Sequence, residues 1–124
     1  MCQGRYVEFT ITVSEPGTSP AATRVVACAG ELDAHASSAL AQALAPLTSV
    51  PQCRVVVDLS QVSFMDSTGL SALVTALKHV READGSLDVV VAAPRVLKVL
   101  QLTGLDVVIP LHDTLDAALA GVSS

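Results

Sequence analysis

The residues best suited to chemistry stand where an apolar run gives way to a helical pattern, in the segment FMDSTGLSAL at 64–73. Ser67 follows Asp66 at this junction and allows three interpretations: it caps the helix, it attacks a substrate as a nucleophile, or it receives a phosphoryl group. Spacing alone favours a cap, supplied by Asp66 or by Ser67 itself. A phosphate would also be stable there, because the dipole and the free N–H groups of a helix N-terminus favour anions.

A nucleophile at Ser67 would need a base, and the three histidines are poorly placed to provide one. His35, His79 and His112 are spread over three different helices or caps. His79 lies about three turns along the same helix, roughly 18 Å from Ser67 at ~1.5 Å per residue. A Ser–His–Asp triad would have to use His35 or His112, and nothing in the sequence predicts one. We therefore interpret all three histidines as surface or cap residues.

Asp58 and the cysteines have simpler interpretations. Asp58 ends an apolar strand, where sites collect in α/β sheets, but a cap of the turn leading to Ser60 is the favoured explanation. Cys2, Cys28 and Cys53 are odd in number, far apart and without metal-ligand spacing. They are predicted to be reduced thiols, and we expect no metal site.

Composition limits the class of function. The 124 residues fit one domain, taken as 1–124, and carry a net charge of −5 with scattered lysines and arginines. Nucleic-acid binding needs a clustered basic face, so it is not expected. Neither a phosphate-cradling glycine motif nor a nucleophile elbow occurs, and we expect no cofactor. No apolar run approaches 18 residues and no signal peptide is recognisable, so the sequence predicts a cytoplasmic protein without a membrane span.

Hydrophobic periodicity places these residues on strands and helices that alternate along the chain. Strands are predicted at 7–13, 24–29, 54–59, 87–93 and 105–111, with turn residues after the first. Helices are predicted from Ala34 to a stop at Pro46 and Pro51, from 67 to 83, from 94 to 103, and within 112–122. The order β-β-α-β-α-β-α-β-α indicates an α/β fold with a mixed, mostly parallel sheet and right-handed crossovers.

Two of the predicted helices bear on the site. Asp33 is predicted to cap the helix that begins at Ala34, through a carboxylate that accepts first-turn N–H groups. The helix at 67–83 has an apolar stripe and an outer polar face. Its stripe consists of Leu70, Leu73, Val74, Leu77 and Val80, and its outer face of Ser71, Thr75, Lys78 and Glu82.

Three separated segments resemble one known family, in order and in spacing. VVVDLSQVSFMDSTGLSAL at 55–73 is similar to the core of the STAS domain of bacterial anti-sigma factor antagonists. VVACAGELDAHAS at 25–37 and APRVLKVLQLTGLDVVIPLHDTLDAAL at 93–119 resemble the preceding and the C-terminal segments of that domain. The resemblance covers about residues 7–121 and implies the fold of a single STAS domain.

The resemblance implies a binding protein that is controlled by phosphorylation, and not an enzyme. In this family the unphosphorylated protein binds an anti-sigma factor, which then releases its sigma factor. That anti-sigma factor is commonly a serine kinase; the serine that it modifies matches Ser67, and a phosphatase removes the phosphate. Asp33 and Asp66 match acidic positions beside that serine, while Thr68 and Gly69 complete its motif.

The resemblance also implies that the exposed face of the helix at 67–83 meets the partner. Ser71, Thr75 and Lys78 follow Ser67 at helical spacing and therefore share its side. Ser71 stands where many relatives have a second glycine, so this chain presents a different surface to its partner. We expect the protein to act as a monomer.

Two alternatives stay open. A STAS domain can serve in another complex, such as the cytosolic partner of a lipid-transport system, although the DSTG segment favours the phosphorylation switch. A small hydrolase with Ser67 as its nucleophile is the third interpretation, and the missing base counts against it.

Overall fold

The computed structural model describes residues 9–14 and 23–122, and it contains a five-stranded sheet with helices on both faces. The strands are β1 (Thr10–Ser14), β2 (Thr23–Leu32), β3 (Arg54–Met65), β4 (Ser86–Val90) and β5 (Leu111–His112). The helices are α1 (Ala34–Thr48), α2 (Ser67–Glu82), α3 (Pro94–Leu102), α4 (Leu105–Val108) and α5 (Leu115–Val122). The strands lie in the order β1-β2-β3-β4-β5; β1 is antiparallel to β2, and the other pairs are parallel. The predicted mixed, mostly parallel sheet is confirmed.

The apolar run of β3 is explained by cover on both faces of the sheet. Val55 and Val57 point into the larger core, which α1, α2 and α3 close, whereas Val56 points to a smaller cluster under α5. The larger core is aliphatic and includes the fully buried Val26, Leu40, Leu44, Leu73, Val96 and Leu100. Since successive residues of a strand face opposite sides, a strand buried on both sides must be apolar throughout.

Two irregularities in β3 bring the ends of β2 and β3 level. Ala27 and Ala29 of β2 pair with Asp58 and Gln61, so β3 contains one extra residue there, and the pairing shifts again after Gly30. Gly30 has a φ of 115°, a conformation that other residues rarely adopt. Beyond these shifts the two strands finish in register and pass directly into α1 and α2.

Pro46 does not end α1, which corrects the sequence prediction. The helix continues to Thr48, with Pro46 inside it. A proline in a helix removes its own N–H bond to the carbonyl four residues earlier, here that of Gln42, and its ring crowds that carbonyl. Both Gln42 and Pro46 are exposed, so water can satisfy the freed carbonyl.

The strand predicted at 105–111 is wrong over most of its length. Residues 105–108 form the short helix α4, and β5 contains only Leu111 and His112. A strand would have buried every second residue, but Val107 is 83% exposed, while Leu105 and Ile109 are buried four positions apart. The Ile109 N–H donates to the Leu105 carbonyl at 2.8 Å, which is the helical pattern. An apolar run this short does not distinguish the two periods.

Other predicted elements differ in extent. β2 and β3 are longer than predicted, and β3 reaches Met65. Val13, near the end of the edge strand β1, is 46% exposed. The first residues of the predicted strand at 7–13 and the turn segment at 15–22 lie outside the described residues.

Candidate functional site

The site is built where α1 and α2 begin side by side. Leu32, the last residue of β2, pairs with Met65, the last residue of β3. Each is followed by an aspartate that caps a helix: Asp33 caps α1, and Asp66 caps α2. The Asp33 carboxylate accepts the Ala36 N–H at 2.9 Å. The Asp66 N–H donates to the Leu32 carbonyl at 3.3 Å and so ties the second cap to the end of β2. The tertiary structure thus brings together two carboxylates that stand 33 positions apart in the chain.

Asp66, and not Ser67, caps α2, which decides between the two candidates that spacing had left open. Its carboxylate accepts the N–H groups of Thr68 at 2.9 Å and Gly69 at 3.4 Å, and it also accepts the Thr68 hydroxyl. The Thr68 hydroxyl, helped by these N–H groups, lowers the pKa of the Asp66 carboxyl below its ordinary value. Asp66 is therefore ionised at neutral pH.

Ser67 is the first residue of α2, and it is exposed. No hydrogen bond to its hydroxyl is found within residues 9–14 and 23–122. Because Asp66 already caps α2, the Ser67 hydroxyl is not needed to satisfy the first N–H groups of the helix. It is presented to solvent beside an ionised carboxylate, at the positive end of a helix.

Thr68 turns inward and links the two helices. Its hydroxyl oxygen lies 3.0 Å from the hydroxyl oxygen of Ser37, a residue of α1 that is only 4% exposed. Sequence reasoning missed Ser37, because a serine in an Ala-rich helix has no spacing that marks it as part of this site. The only indication was its position four residues after the Asp33 cap.

Gly69 allows α2 to begin close to the sheet. A Cβ atom built on Gly69 would lie 2.7 Å from the Met65 Cγ and 2.9 Å from a methyl group of Leu32. Real Cβ atoms do not approach other carbons so closely, and both neighbours are buried. The glycine of the DSTG segment is thus a packing requirement of this junction.

The outer face of α2 continues from Ser67. Ser71, Thr75 and Lys78 are exposed, as the sequence predicted. Val74 was assigned to the buried stripe, but it is 47% exposed. The inner face instead uses the small residues Gly69, Ala72 and Ala76 together with Leu73 and Val80. An open groove of about 340 Å³ runs beside the outer face of α2. It is lined by Leu70, Ser71, Val74, Thr75, Thr103 and Leu105.

The histidines provide no hydrogen-bond partner for Ser67 in the part of the chain that the structure describes. His35 is exposed and His79 half-buried, and within residues 23–122 no hydrogen bond joins a histidine to Ser67. His112 is not a plain surface residue, because its Nε2 lies 2.7 Å from a carboxylate oxygen of the buried Asp88. Its interpretation as a surface or cap residue was therefore wrong.

Asp58 behaves as the simpler interpretation expected. Its carboxylate accepts the Ser60 N–H at 2.9 Å, at the point where the extra residue of β3 interrupts the pairing with β2. The interruption frees an N–H group from the strand ladder, and the side chain satisfies it.

The described cysteines are buried and unpaired. Burial raises the pKa of the Cys28 thiol to about 12, with a smaller contribution from the nearby Asp58 carboxylate. Burial also raises the pKa of Cys53. Cys2 lies outside the described residues. In the part of the chain that the structure describes, no group of three or more potential metal ligands occurs, and none of its helices has the length and apolar character needed to cross a membrane.

Comparison with known proteins gives consistent results. A family model described as the STAS domain matches residues 15–118. The anti-sigma-B factor antagonist of Listeria monocytogenes is 32% identical over 85 residues, which are 68% of this chain and 75% of the relative. The crystal structure of an anti-sigma factor antagonist from Mycobacterium paratuberculosis is 34% identical and has a TM-score of 0.81, covering 94% of this chain and 96% of that one.

A more distant structure shares the fold. SpoIIAA, an anti-sigma factor antagonist studied in its unphosphorylated form, is 21% identical with a TM-score of 0.73, over 91% of this chain and 96% of that one.

Proposed function

Since the chain belongs to the STAS domain family, we propose that it acts as an anti-sigma factor antagonist whose binding is switched off by phosphorylation at Ser67. The observation that carries the proposal is the exposed Ser67 hydroxyl, which is relieved of capping by Asp66. In this proposal the unphosphorylated protein binds an anti-sigma factor in the cytoplasm, as a monomer, and thereby frees a sigma factor.

The proposed modification is a phosphoryl transfer from ATP that the anti-sigma factor itself catalyses. The Ser67 oxygen forms a bond to the γ-phosphorus, the bond from that phosphorus to the β–γ bridging oxygen breaks, and ADP leaves. The hydroxyl proton passes to a base of the kinase. A phosphatase restores the free serine by hydrolysis: a water oxygen forms a bond to the phosphorus, the bond from phosphorus to the Ser67 oxygen breaks, and inorganic phosphate leaves.

The surroundings of Ser67 explain why a phosphate would change binding. It would add nearly two negative charges next to the ionised Asp66. The N–H groups of Thr68 and Gly69, which could otherwise hold a phosphate, already donate to the Asp66 carboxylate. The added charge is therefore poorly neutralised by the protein itself and acts on whatever surface faces it.

The proposed partner surface is the outer face of α2, with Ser71, Thr75 and Lys78. It begins at Ser67 and runs along exposed residues, so a bound partner would cover both the surface and the phosphorylation site. Asp33 and Asp66 support the site as caps of adjacent helices, Thr68 anchors the Asp66 carboxylate, and Gly69 permits the close approach of α2.

The test is to map the phosphate. The protein is used to capture its partner from a lysate of its own host without ATP, and the purified partner is then incubated with ATP and the wild-type chain. We expect mass spectrometry to find one phosphate, on Ser67, and none in the Ser67→Ala variant. Phosphate that persists in Ser67→Ala and disappears in Thr68→Val would refute the assignment. A captured membrane transporter that does not phosphorylate the chain would favour a role in another complex.

A further inference from the structure

A buried hydroxyl of α1 completes the cap that carries Ser67. Ser37 is 4% exposed, and its oxygen lies 3.0 Å from the Thr68 hydroxyl oxygen. The Thr68 hydroxyl in turn contacts the Asp66 carboxylate. The three side chains therefore form one chain of hydrogen bonds that crosses from α1 to the first turn of α2, which contains Ser67.

The direction of these hydrogen bonds follows from the ionised carboxylate. A carboxylate can only accept, so the single proton of the Thr68 hydroxyl is directed at Asp66. The Thr68 oxygen then has only lone pairs left for its other neighbour. Ser37 must therefore donate its proton to Thr68, and this donation strengthens the bond from Thr68 to Asp66.

Packing does not explain the hydroxyl of Ser37. Its neighbours along the buried side of α1 are Ala36 and Leu40, and an alanine would fit the same helix face without a polar group to satisfy. A buried hydroxyl costs free energy unless it is hydrogen-bonded, and the bond that Ser37 makes leads to Thr68. The side chain thus serves the Asp66 cap more than it serves the core.

We propose that Ser37 is a positioning residue for phosphoryl acceptance at Ser67. This inference rests on the proposed function. Ser67 lies between Asp66 and Thr68 in the chain, so whatever holds those two side chains holds the backbone of Ser67 in place. Without the Ser37 hydroxyl, the hydrogen bond from Thr68 to Asp66 weakens, and the first turn of α2 holds the acceptor oxygen of Ser67 less firmly.

The first experiment measures phosphorylation kinetics with the purified anti-sigma factor kinase and ATP. In Ser37→Ala we expect kcat to fall by roughly threefold to tenfold, the effect of one hydrogen bond, with little change in KM because the outer face of α2 is untouched. Ser38→Ala is the matched control, since Ser38 is the next residue of the same helix and is exposed. A Ser37→Ala protein with the kcat of the wild type would overturn the proposal.

The second experiment needs no partner and follows the Asp66 carboxyl by carbon NMR during an acid titration. In Ser37→Ala the midpoint should move up towards the ordinary value, because the bond from Thr68 weakens; Ser38→Ala should leave it unchanged. An unchanged midpoint in Ser37→Ala would contradict the hydrogen-bond chain. If wild-type Ser67 takes no phosphate, the proposed function fails, but this titration still decides whether Ser37 holds the cap.

Discussion

At the scale of single residues, the sequence alone allowed either Asp66 or Ser67 to cap α2, and the structure assigns the cap to Asp66. The Asp66 carboxylate satisfies the first N–H groups of α2, so the Ser67 hydroxyl is left exposed. A charge placed at Ser67 should therefore affect the fold and the partner differently. The fold has no reason to fail, because a negative charge at a helix N-terminus is stabilising by about 0.3–1 kcal/mol.

The Ser67→Asp variant should fold normally and lose its partner. If the partner places an acidic group opposite, one like-charge pair at about 5 Å and an effective dielectric near 20 costs about 3 kcal/mol, or roughly a hundredfold in Kd. Calorimetric titration against the purified anti-sigma factor measures this loss. Ser67→Asn is the control, since it has nearly the same size without the charge. Equal or tighter binding by Ser67→Asp, with an unchanged circular dichroism spectrum, would overturn the proposed switch.

The Asp66 cap should make stability depend on acid. The folded pKa of Asp66 lies below its ordinary value, so the cap stabilises the protein above pH 3.8, and this contribution is lost as the pH falls through the folded pKa. We expect Asp66→Ala to melt at a lower temperature than the wild type at pH 7. The difference should shrink when both are measured below pH 3.8. Scanning calorimetry over this range checks it, and a difference that stays constant with pH would contradict the role of the charge.

At the scale of elements, the start of α2 is set by how closely it approaches the ends of β2 and β3. The contacts of 2.7 Å and 2.9 Å that a Cβ on Gly69 would make involve Met65 and Leu32, both enclosed by the core. Gly69, the last residue of the DSTG segment, is therefore also the residue that lets α2 begin close to the sheet, where Asp66 caps it.

Gly69→Ala should destabilise the protein. Overpacking of a core lowers the free energy of unfolding by about 1–3 kcal/mol, while replacing glycine by alanine in a helix raises it by at most about 1 kcal/mol. We therefore expect a net loss of up to about 2 kcal/mol in the free energy of unfolding, measured by urea denaturation. Ser71→Ala, on the exposed side of the same helix, should change it by no more than ~0.5 kcal/mol. A Gly69→Ala protein as stable as the wild type would show that α2 can shift without cost.

The outer face of α2 should bind the partner without contributing to the fold. Ser71→Glu changes an exposed residue beside the groove at Val74 and Thr103, so its stability should stay within ~0.5 kcal/mol of the wild type. Its Kd for the anti-sigma factor should rise by about tenfold or more, as for a residue inside an interface. Ala117→Glu, exposed on α5 at the other face of the sheet, is the control that should bind normally. Full-strength binding by Ser71→Glu would remove α2 from the interface.

At the scale of the whole molecule, one polar pair joins the last strand to the rest of the sheet. Asp88 of β4 is buried and lies on the sheet face that α5 covers, opposite Val56 of the neighbouring strand. His112 of the two-residue strand β5 reaches it at 2.7 Å. So short a strand has few backbone bonds to its neighbour, so this side-chain contact helps to hold β5 and α5 in place.

Loss of both partners should cost less than the two single losses added together. His112→Leu leaves the Asp88 carboxylate buried without its partner, and we expect a loss of about 1–3 kcal/mol in the free energy of unfolding. Asp88→Leu should have a similar effect, whereas the double variant should be more stable than the sum of the two changes predicts. Urea denaturation of the four proteins gives this coupling. Strictly additive effects would show that the pair is not a stabilising contact.

Much of this protein can be predicted from the sequence because its signals are local. The Asp33 cap, the Pro94 start of α3 and the strand of three valines depend on residues next to one another, and each is confirmed. The resemblance to the STAS domain is also confirmed, because its motifs follow one another in fixed order along the chain. The phosphorylation of Ser67 stays a prediction.

Only the tertiary structure decided how distant residues meet. Nothing near Ser37 in the chain marks it, and it joins the site because the bulged β3 brings α1 and α2 to a common start. Residues 105–108 became a helix because the core offers room for Leu105 and Ile109 and leaves Val107 outside. His112 and Asp88 likewise meet only through the pairing of β4 with β5. The periodicity of a short segment does not show which of its sides the rest of the fold will bury. The packing of distant segments therefore decided the Ser37 contact, the helix α4 and the contact between His112 and Asp88.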